Sequence, residues 1–116
     1  MIRLKSVGNI IASRELLLDG EQKATALIGK PRRLPGSDDW YCPNQIIGIG
    51  SEEVKCICGV DPMQALVLSL QMVGAQLYCS VEYKAGRLRW ECGAVAGDLG
   101  LPVPENIREV LPKRGR

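Results

Sequence analysis

The chain has 116 residues, of which 46% are hydrophobic and 24% are charged, as in an ordinary globular domain. This length can bury one hydrophobic core, so residues 1–116 are predicted to form a single domain. The net charge of +2 indicates neither a nucleic-acid partner nor an anionic membrane surface.

Five cysteines are present, and their odd number and irregular spacing are typical of reduced thiols rather than of a disulfide framework. The N-terminus begins no apolar run of signal-peptide length. The longest apolar-rich segment is interrupted by Gln and Ser, so it cannot span a bilayer. We therefore expect a cytoplasmic protein with no membrane partner.

The first half of the chain is strand-like and is divided by turns. Asp19 and Gly20 form a strong hairpin signal, and residues 29–39 gather Pro, Gly, Ser and Asp as an exposed loop does. Pro43 indicates a bulge, a bend or a sheet edge within the strand that follows this loop. Four strands are predicted, over residues 13–19, 23–28, 40–49 and 54–60.

Residues 61–84 are predicted to form one long helix. Asp61 is a suitable N-cap, Pro62 occupies the first helical position, and Gly86 suits the position after the C-terminus. Residues 79–84 also alternate between apolar and polar side chains as a strand does. The helix interpretation is favoured because the helical periodicity continues through them without a phase break.

This helix carries two apolar stripes at 100° per residue, whereas a solvated surface helix needs only one. The first stripe, which we expect to cover the sheet, contains Met63, Leu66, Val67, Leu70, Val73, Leu77 and Val81. The second stripe contains Ala65, Leu68, Met72, Ala75, Cys79 and Tyr83. It needs another cover, either the C-terminal tail or a second protein chain, and the sequence supports these two alternatives equally.

After the helix, residues 87–92 alternate cleanly and predict a late strand. Residues 93–116 are rich in Gly and Pro and predict an irregular tail, with a short turn of helix over 104–111. Short connections favour pairing of the first four strands in order. The predicted fold class is therefore α+β: a four-stranded antiparallel meander packed against one long helix, with a late strand and an irregular tail.

No catalytic, metal or nucleotide motif is complete. The Gly48-Ile49-Gly50 segment lacks the third glycine of a dinucleotide fingerprint and precedes a strand rather than a helix. Cys56 and Cys58 have neither a second closely spaced Cys pair nor a His with which to complete a tetrahedral metal site. The absence of His also removes the commonest base that activates a Ser or Cys nucleophile. We therefore predict no catalytic residue, no metal and no cofactor.

Two basic clusters, at residues 30–33 and 113–116, each carry three positive charges. These are too few for more than weak, salt-sensitive binding to phosphates, and a nucleic-acid partner is not expected. The first cluster nevertheless suggests an alternative function. In a site for an anionic metabolite, Arg32 and Arg33 would serve as anion donors and Trp40 as an apolar wall.

Four segments resemble a family of small bacterial proteins of unknown function. The segments are W-Y-C-P-N-Q-I at 40–46, G-I-G at 48–50, G-V-D-P-M-Q-A-L at 59–66 and G-R-L-R-W at 86–90. The similarity extends over roughly residues 14–102. It implies a bacterial, intracellular protein with an α+β fold, and it implies no activity, ligand or catalytic residue.

These observations predict a non-enzymatic protein–protein interaction module, comparable in size to adaptor and immunity proteins. The expected partners are a second copy of the chain, another protein, or both. The candidate interface is the second stripe, because the sheet can shield only one flank of the predicted helix. The anionic-metabolite site is the alternative.

Overall fold

A computed structural model describes residues 4–113 of the chain. Within that range the strands are β1 (Ile10–Leu18), β2 (Gln22–Gly29), β3 (Arg32–Arg33), β4 (Trp40–Ile47), β5 (Lys55–Gly59) and β6 (Leu88–Arg89). The helices are α1 (Pro62–Tyr78), α2 (Val81–Lys84) and a 3₁₀ helix (Glu105–Val110). No helix in this part of the chain is both long enough and apolar enough to cross a bilayer. The predicted α+β class is confirmed.

The four long strands pair antiparallel in the order β1-β2-β4-β5, which confirms the predicted meander. The short strand β3 continues the path of β2 along the same edge of β4, inside the segment predicted to be an exposed loop. The late strand β6 pairs with β1 at the far edge. The sheet therefore ends in β6 on one side and in β5 on the other.

The hairpin between β1 and β2 is joined to the late strand by an ion pair. Asp19 and Gly20 both adopt a positive φ, as the tight turn requires. Arg87 donates from Nε and a terminal nitrogen to the two Asp19 carboxylate oxygens, at 2.7 and 2.8 Å. This hydrogen bonding lowers the pKa of Asp19 below its ordinary value. The ion pair holds the start of β6 beside β1.

Helix α1 begins as predicted but ends earlier than residue 84. The Asp61 carboxylate accepts from the Gln64 backbone N–H, and the Gln64 amide oxygen accepts from the N–H of Val60, the residue before the N-cap. The pair resembles a capping box. The prediction of one continuous helix is wrong, because Ser80 has an extended backbone. Its hydroxyl donates to the Leu77 carbonyl and accepts from the Tyr83 N–H. A serine that bonds to local backbone in this way ends one helix and caps the next.

The late strand is also shorter than the predicted 87–92. The chain turns at Trp90, whose carbonyl accepts from the Gly93 N–H at 3.1 Å. The Trp90 ring lies 3.9 Å from the Arg14 guanidinium, a cation–π contact. The same guanidinium donates to the carbonyls of Leu99 and Gly100. These contacts hold the tail close to β1.

The sheet meets α1 between the two apolar stripes, so the expectation that the first stripe covers the sheet holds for only part of that stripe. Val73 of the first stripe is buried in the core against the sheet. Met63 and Val67 of that stripe are 74% and 45% exposed, whereas Ala65 of the second stripe is completely buried. The centre of the buried face is Ser69, a polar residue that also has no exposed surface. Apolar periodicity does not identify a polar residue as the centre of a buried face.

Ser69 belongs to a buried hydrogen-bond network that joins α1 to β4. Its hydroxyl donates to the Cys42 carbonyl at 3.2 Å and accepts from the Asn44 amide at 3.0 Å. The Asn44 amide also lies 3.4 Å from the Met72 sulfur, and the Asn44 oxygen accepts from Gln76 at 3.3 Å. Because buried polar groups are costly unless they are bonded, this network fixes the helix at one position over the sheet.

We predict that Asn44→Ala lowers the free energy of unfolding by about 2 kcal/mol, because Ser69 and Gln76 lose buried hydrogen-bond partners. Urea denaturation followed by circular dichroism measures this change, and the dependence on urea concentration should stay the same. Ser13→Ala, at an exposed position on β1, is the control and should change stability by less than about 0.5 kcal/mol. A similarly small loss for Asn44→Ala would contradict the assigned role.

Candidate functional site

The most unusual surface of the protein is the solvent-facing side of α1. All 17 residues of this helix are uncharged, whereas the outer face of a surface helix normally carries charged side chains. The exposed residues at its start include Met63, Gln64 and Val67, and Val60 precedes them with 70% of its surface exposed. We call Val60, Met63 and Val67 the apolar patch. At helical spacing these three positions span about two turns, so the side chains are near one another.

The predicted interface residues do not form a single surface. Ala65 is buried against the backbone of β5, since a Cβ on Gly59 would lie 2.5 Å from the Ala65 nitrogen. Tyr83 belongs to α2, where its hydroxyl donates to the Gly97 carbonyl at 2.8 Å. The other four residues stay together on the side of α1 that faces β5. They are Leu68, Met72 and Ala75, which are half-buried, and Cys79, which is exposed.

The C-terminal tail covers the opposite flank of α1. Pro102 approaches so closely that a Cβ on Gly74 would overlap the Pro102 carbonyl oxygen. One turn further along, the Tyr78 hydroxyl accepts from the Leu99 N–H at 2.8 Å. At 100° per residue, Gly74 lies about 120° around the helix from Leu68. The tail therefore packs away from Leu68, Ala75 and Cys79, although it was one of the two covers expected for their stripe.

Two tyrosines and one aspartate stabilise the tail. Burial raises the pKa of Tyr78 and of Tyr83, and the nearby Asp98 carboxylate raises both further. The Asp98 side chain accepts from the backbone N–H groups of Ala94 and Gly100 at 3.0 and 2.8 Å. These bonds close a compact loop over α1. The two tyrosine hydroxyls and the Asp98 carboxylate have a structural role, because each of them is hydrogen-bonded to the backbone of the tail.

The three residues of the predicted anion site are close in space but do not face the same way. The register places Arg33 opposite Trp40 and Arg32 opposite Tyr41. Since successive strand residues point to opposite faces of a sheet, only Arg33 shares a face with Trp40. The Arg33 guanidinium lies 5.7 Å from the Trp40 ring centroid and 3.8 Å from an Asp38 carboxylate oxygen. The acidic neighbour offsets part of the charge that an anion would meet.

A cleft of about 450 Å³ lies between the loop that joins β4 to β5 and the end of α1. Its lining includes Ile46, Ile49, Glu52, Glu53, Gln76 and Glu82. Three glutamates make this cleft unsuitable for an anionic ligand. Sequence reasoning missed the cleft, because the helix break at Ser80 forms part of its wall.

All five cysteines are free thiols in the structure. Burial raises the pKa of Cys42 and of Cys56, so these two are poor nucleophiles. Among residues 4–113, no group of three or more Cys, Asp or Glu side chains has the geometry to hold a metal ion. The thiols therefore offer separate reactive positions rather than a shared site.

One comparison with known proteins gives a match. A family model described as a domain of unknown function (DUF6968) matches residues 12–103. No curated protein and no solved structure matches the chain. The matched range starts in β1 and ends where the tail crosses α1, so it includes the apolar patch and the flank of α1 that faces β5.

We predict that Gly74→Ala destabilises the protein, although alanine is the better helix former by about 1 kcal/mol. The added methyl group would displace the tail at Pro102, and the expected net loss is about 1–3 kcal/mol. Urea unfolding measures the loss, and limited proteolysis should show faster cleavage within residues 93–113. Val67→Ala, at an exposed position of the same helix, is the control. A gain in stability for Gly74→Ala would mean that the tail does not press on α1.

Proposed function

The chain belongs to the DUF6968 family, whose function is unknown, and we propose that it is a non-enzymatic protein–protein interaction module. An adaptor-like or immunity-like role fits a single small domain that acts by contact alone. The absence of His from the sequence supports a role without catalysis, since the commonest general base near neutral pH is missing. Five free thiols and the resemblance to small bacterial proteins support the bacterial cytoplasm as its location.

The observation that carries this proposal is the apolar patch on an uncharged helix. Met63 and Val60 are the most exposed large apolar side chains at this end of the molecule, at 74% and 70%. Burial of the three patch residues would contribute roughly 5–8 kcal/mol. Association of two proteins costs roughly 4–15 kcal/mol. The patch is therefore suited to be the centre of a larger interface with another protein that presents an apolar, uncharged surface.

We predict that a photo-crosslinking amino acid at Val67 captures a partner protein in cells of the source organism. The same group at Glu15, which is exposed on the face of the sheet away from α1, is the control and should not give that adduct. Met63→Lys should abolish the adduct at Val67, because a charge at the centre of the patch must be desolvated on binding. Mass spectrometry identifies the captured chain. Identical adducts from both positions, or none from Val67, would contradict the assignment of the patch.

A site for an anionic small molecule is the second candidate function. One observation favours it, namely the Arg33 guanidinium above the Trp40 ring. Such a pair can hold a planar carboxylate or a phosphate, with the ring as an apolar wall.

A thermal-shift screen against anionic metabolites tests this alternative. We expect any stabilising compound to lose its effect in Arg33→Gln and to keep it in Arg89→Gln, which removes an exposed arginine from β6 at the far edge of the sheet. If no compound in the screen raises the melting temperature of the wild-type protein, this function is not supported.

A further inference from the structure

Strand β5 is an open edge of the sheet. Within residues 4–113 its only paired neighbour is β4, so the other side of Lys55–Gly59 presents unpaired backbone N–H and C=O groups. Exposed edge strands are templates for pairing with another chain, and proteins usually protect them with charges, prolines or a covering segment. The single charge on β5 is Lys55, at its first position, and the strand contains no proline.

The helical layer above this edge is also incomplete. We call Leu68, Met72, Ala75 and Cys79 the β5 flank of α1. The Met72 sulfur lies beside Asn44 on β4, and the backbone of Gly59 contacts Ala65, so this side of the helix lies above the edge strand. Three members of the flank are half-buried and Cys79 is exposed. Both layers of the fold therefore end on the same side of the molecule in a largely apolar surface. Its charged groups, Lys55 and the three glutamates of the cleft, lie at one end of it, beside Cys79.

We propose that a second copy of the chain binds this side of the molecule, with β5 pairing antiparallel to β5 and the two β5 flanks packing together. The inference rests on the proposed function as an interaction module and names one partner and the surface that binds it. The pairing would extend the sheet across a two-fold axis and place both α1 helices on the same face. An isologous contact of this kind closes on itself and leaves no free edge for further copies.

The sequence of β5 is compatible with pairing to itself. With the axis at Ile57, each Ile57 faces its counterpart beneath the helices, because Ile57 shares a face with the buried Cys42. Cys56 then lies opposite Cys58 of the second copy on the other face of the sheet. Lys55 lies opposite Gly59, so the two lysines stand at opposite ends of the pairing. Like charges that faced each other across the axis would oppose association, and this pairing contains none.

The area of this contact also favours a second copy over a small ligand. The helix is roughly 25 Å long at 1.5 Å per residue, and the helix and sheet layers are each about 10 Å thick. The contact therefore buries roughly 500 Å² on each copy, or about 1,000 Å² in total, which is the lower limit for a specific interface. We accordingly expect a dimer that dissociates on dilution.

The first test measures molar mass by size-exclusion chromatography with light scattering over a range of protein concentrations. The wild-type mass should rise from 12.7 kDa towards twice that value as concentration increases. Leu68→Glu should remain at the lower mass throughout, because it places two like charges in the contact. Ala75→Glu, at a second half-buried position, gives the same test if Leu68→Glu fails to fold. Val67→Lys, in the apolar patch, should dimerise like the wild type.

The second test uses a short bis-maleimide crosslinker on variants that keep one exposed cysteine. A variant with Cys58 alone should give a covalent dimer, since residue 58 is close to the two-fold axis. A variant with Cys92 alone is the matched control and should not, because Cys92 follows β6 at the opposite edge of the sheet. Both thiols are exposed, so the reagent can reach either of them.

A wild-type protein that stays at 12.7 kDa at every concentration would overturn this inference, as would a dimer that crosslinks through Cys92 or that persists in both glutamate variants. These outcomes leave the proposed function intact if the Val67 photo-crosslink still captures another protein. Conversely, a β5-linked dimer without any Val67 adduct would support this inference while removing the evidence for a different partner.

Discussion

The position of α1 on the sheet depends on one buried contact, the hydrogen bond between Asn44 and Ser69. Both residues are completely buried. If the helix were turned so that either residue faced an apolar neighbour, a buried polar group would be left without a hydrogen bond. Apolar packing tolerates several arrangements of similar volume, whereas a buried polar anchor is bonded in only one rotation of the helix. That rotation turns Met63 and Val67 to solvent and places Leu68 above the β5 edge.

The two flanks of α1 are completed in different ways as a result of this rotation. On one flank, Gly74 has no side chain, so the backbone at Pro102 packs directly against the helix. Apolar residues of the tail cover this flank. The tail is itself held by Asp98 and by the stacking of Arg14 on Trp90. On the β5 side, no segment within residues 4–113 pairs with the edge. One flank of α1 is therefore closed by the tail, and the other is the flank on which we propose association.

Strong local signals in the sequence allowed most of the fold to be predicted. The Asp19-Gly20 turn, the Asp61 cap and alternating apolar side chains located the meander and the start of α1, because each depends on neighbouring residues only. The prediction failed where a polar side chain acts through tertiary contacts. Ser69 belongs to neither of the predicted apolar stripes and is the centre of the buried face, and Ser80 lies within the predicted helix and ends it. Apolar periodicity did group the four candidate residues that remain together on one flank of α1, and their role as an interface stays a prediction.

The two proposed surfaces lie on different flanks of one helix, and this separation has a structural consequence. In a dimer paired through β5, the α1 helices run antiparallel, so the apolar patch at the start of each helix lies at an opposite end of the assembly and away from the axis. Self-association and binding of another protein would then be compatible rather than competitive. Two identical patches on one dimer would allow a repeated or dimeric partner to bind at both ends, which raises its apparent affinity without any additional contact. Contacts of modest individual area could thereby give a stable complex.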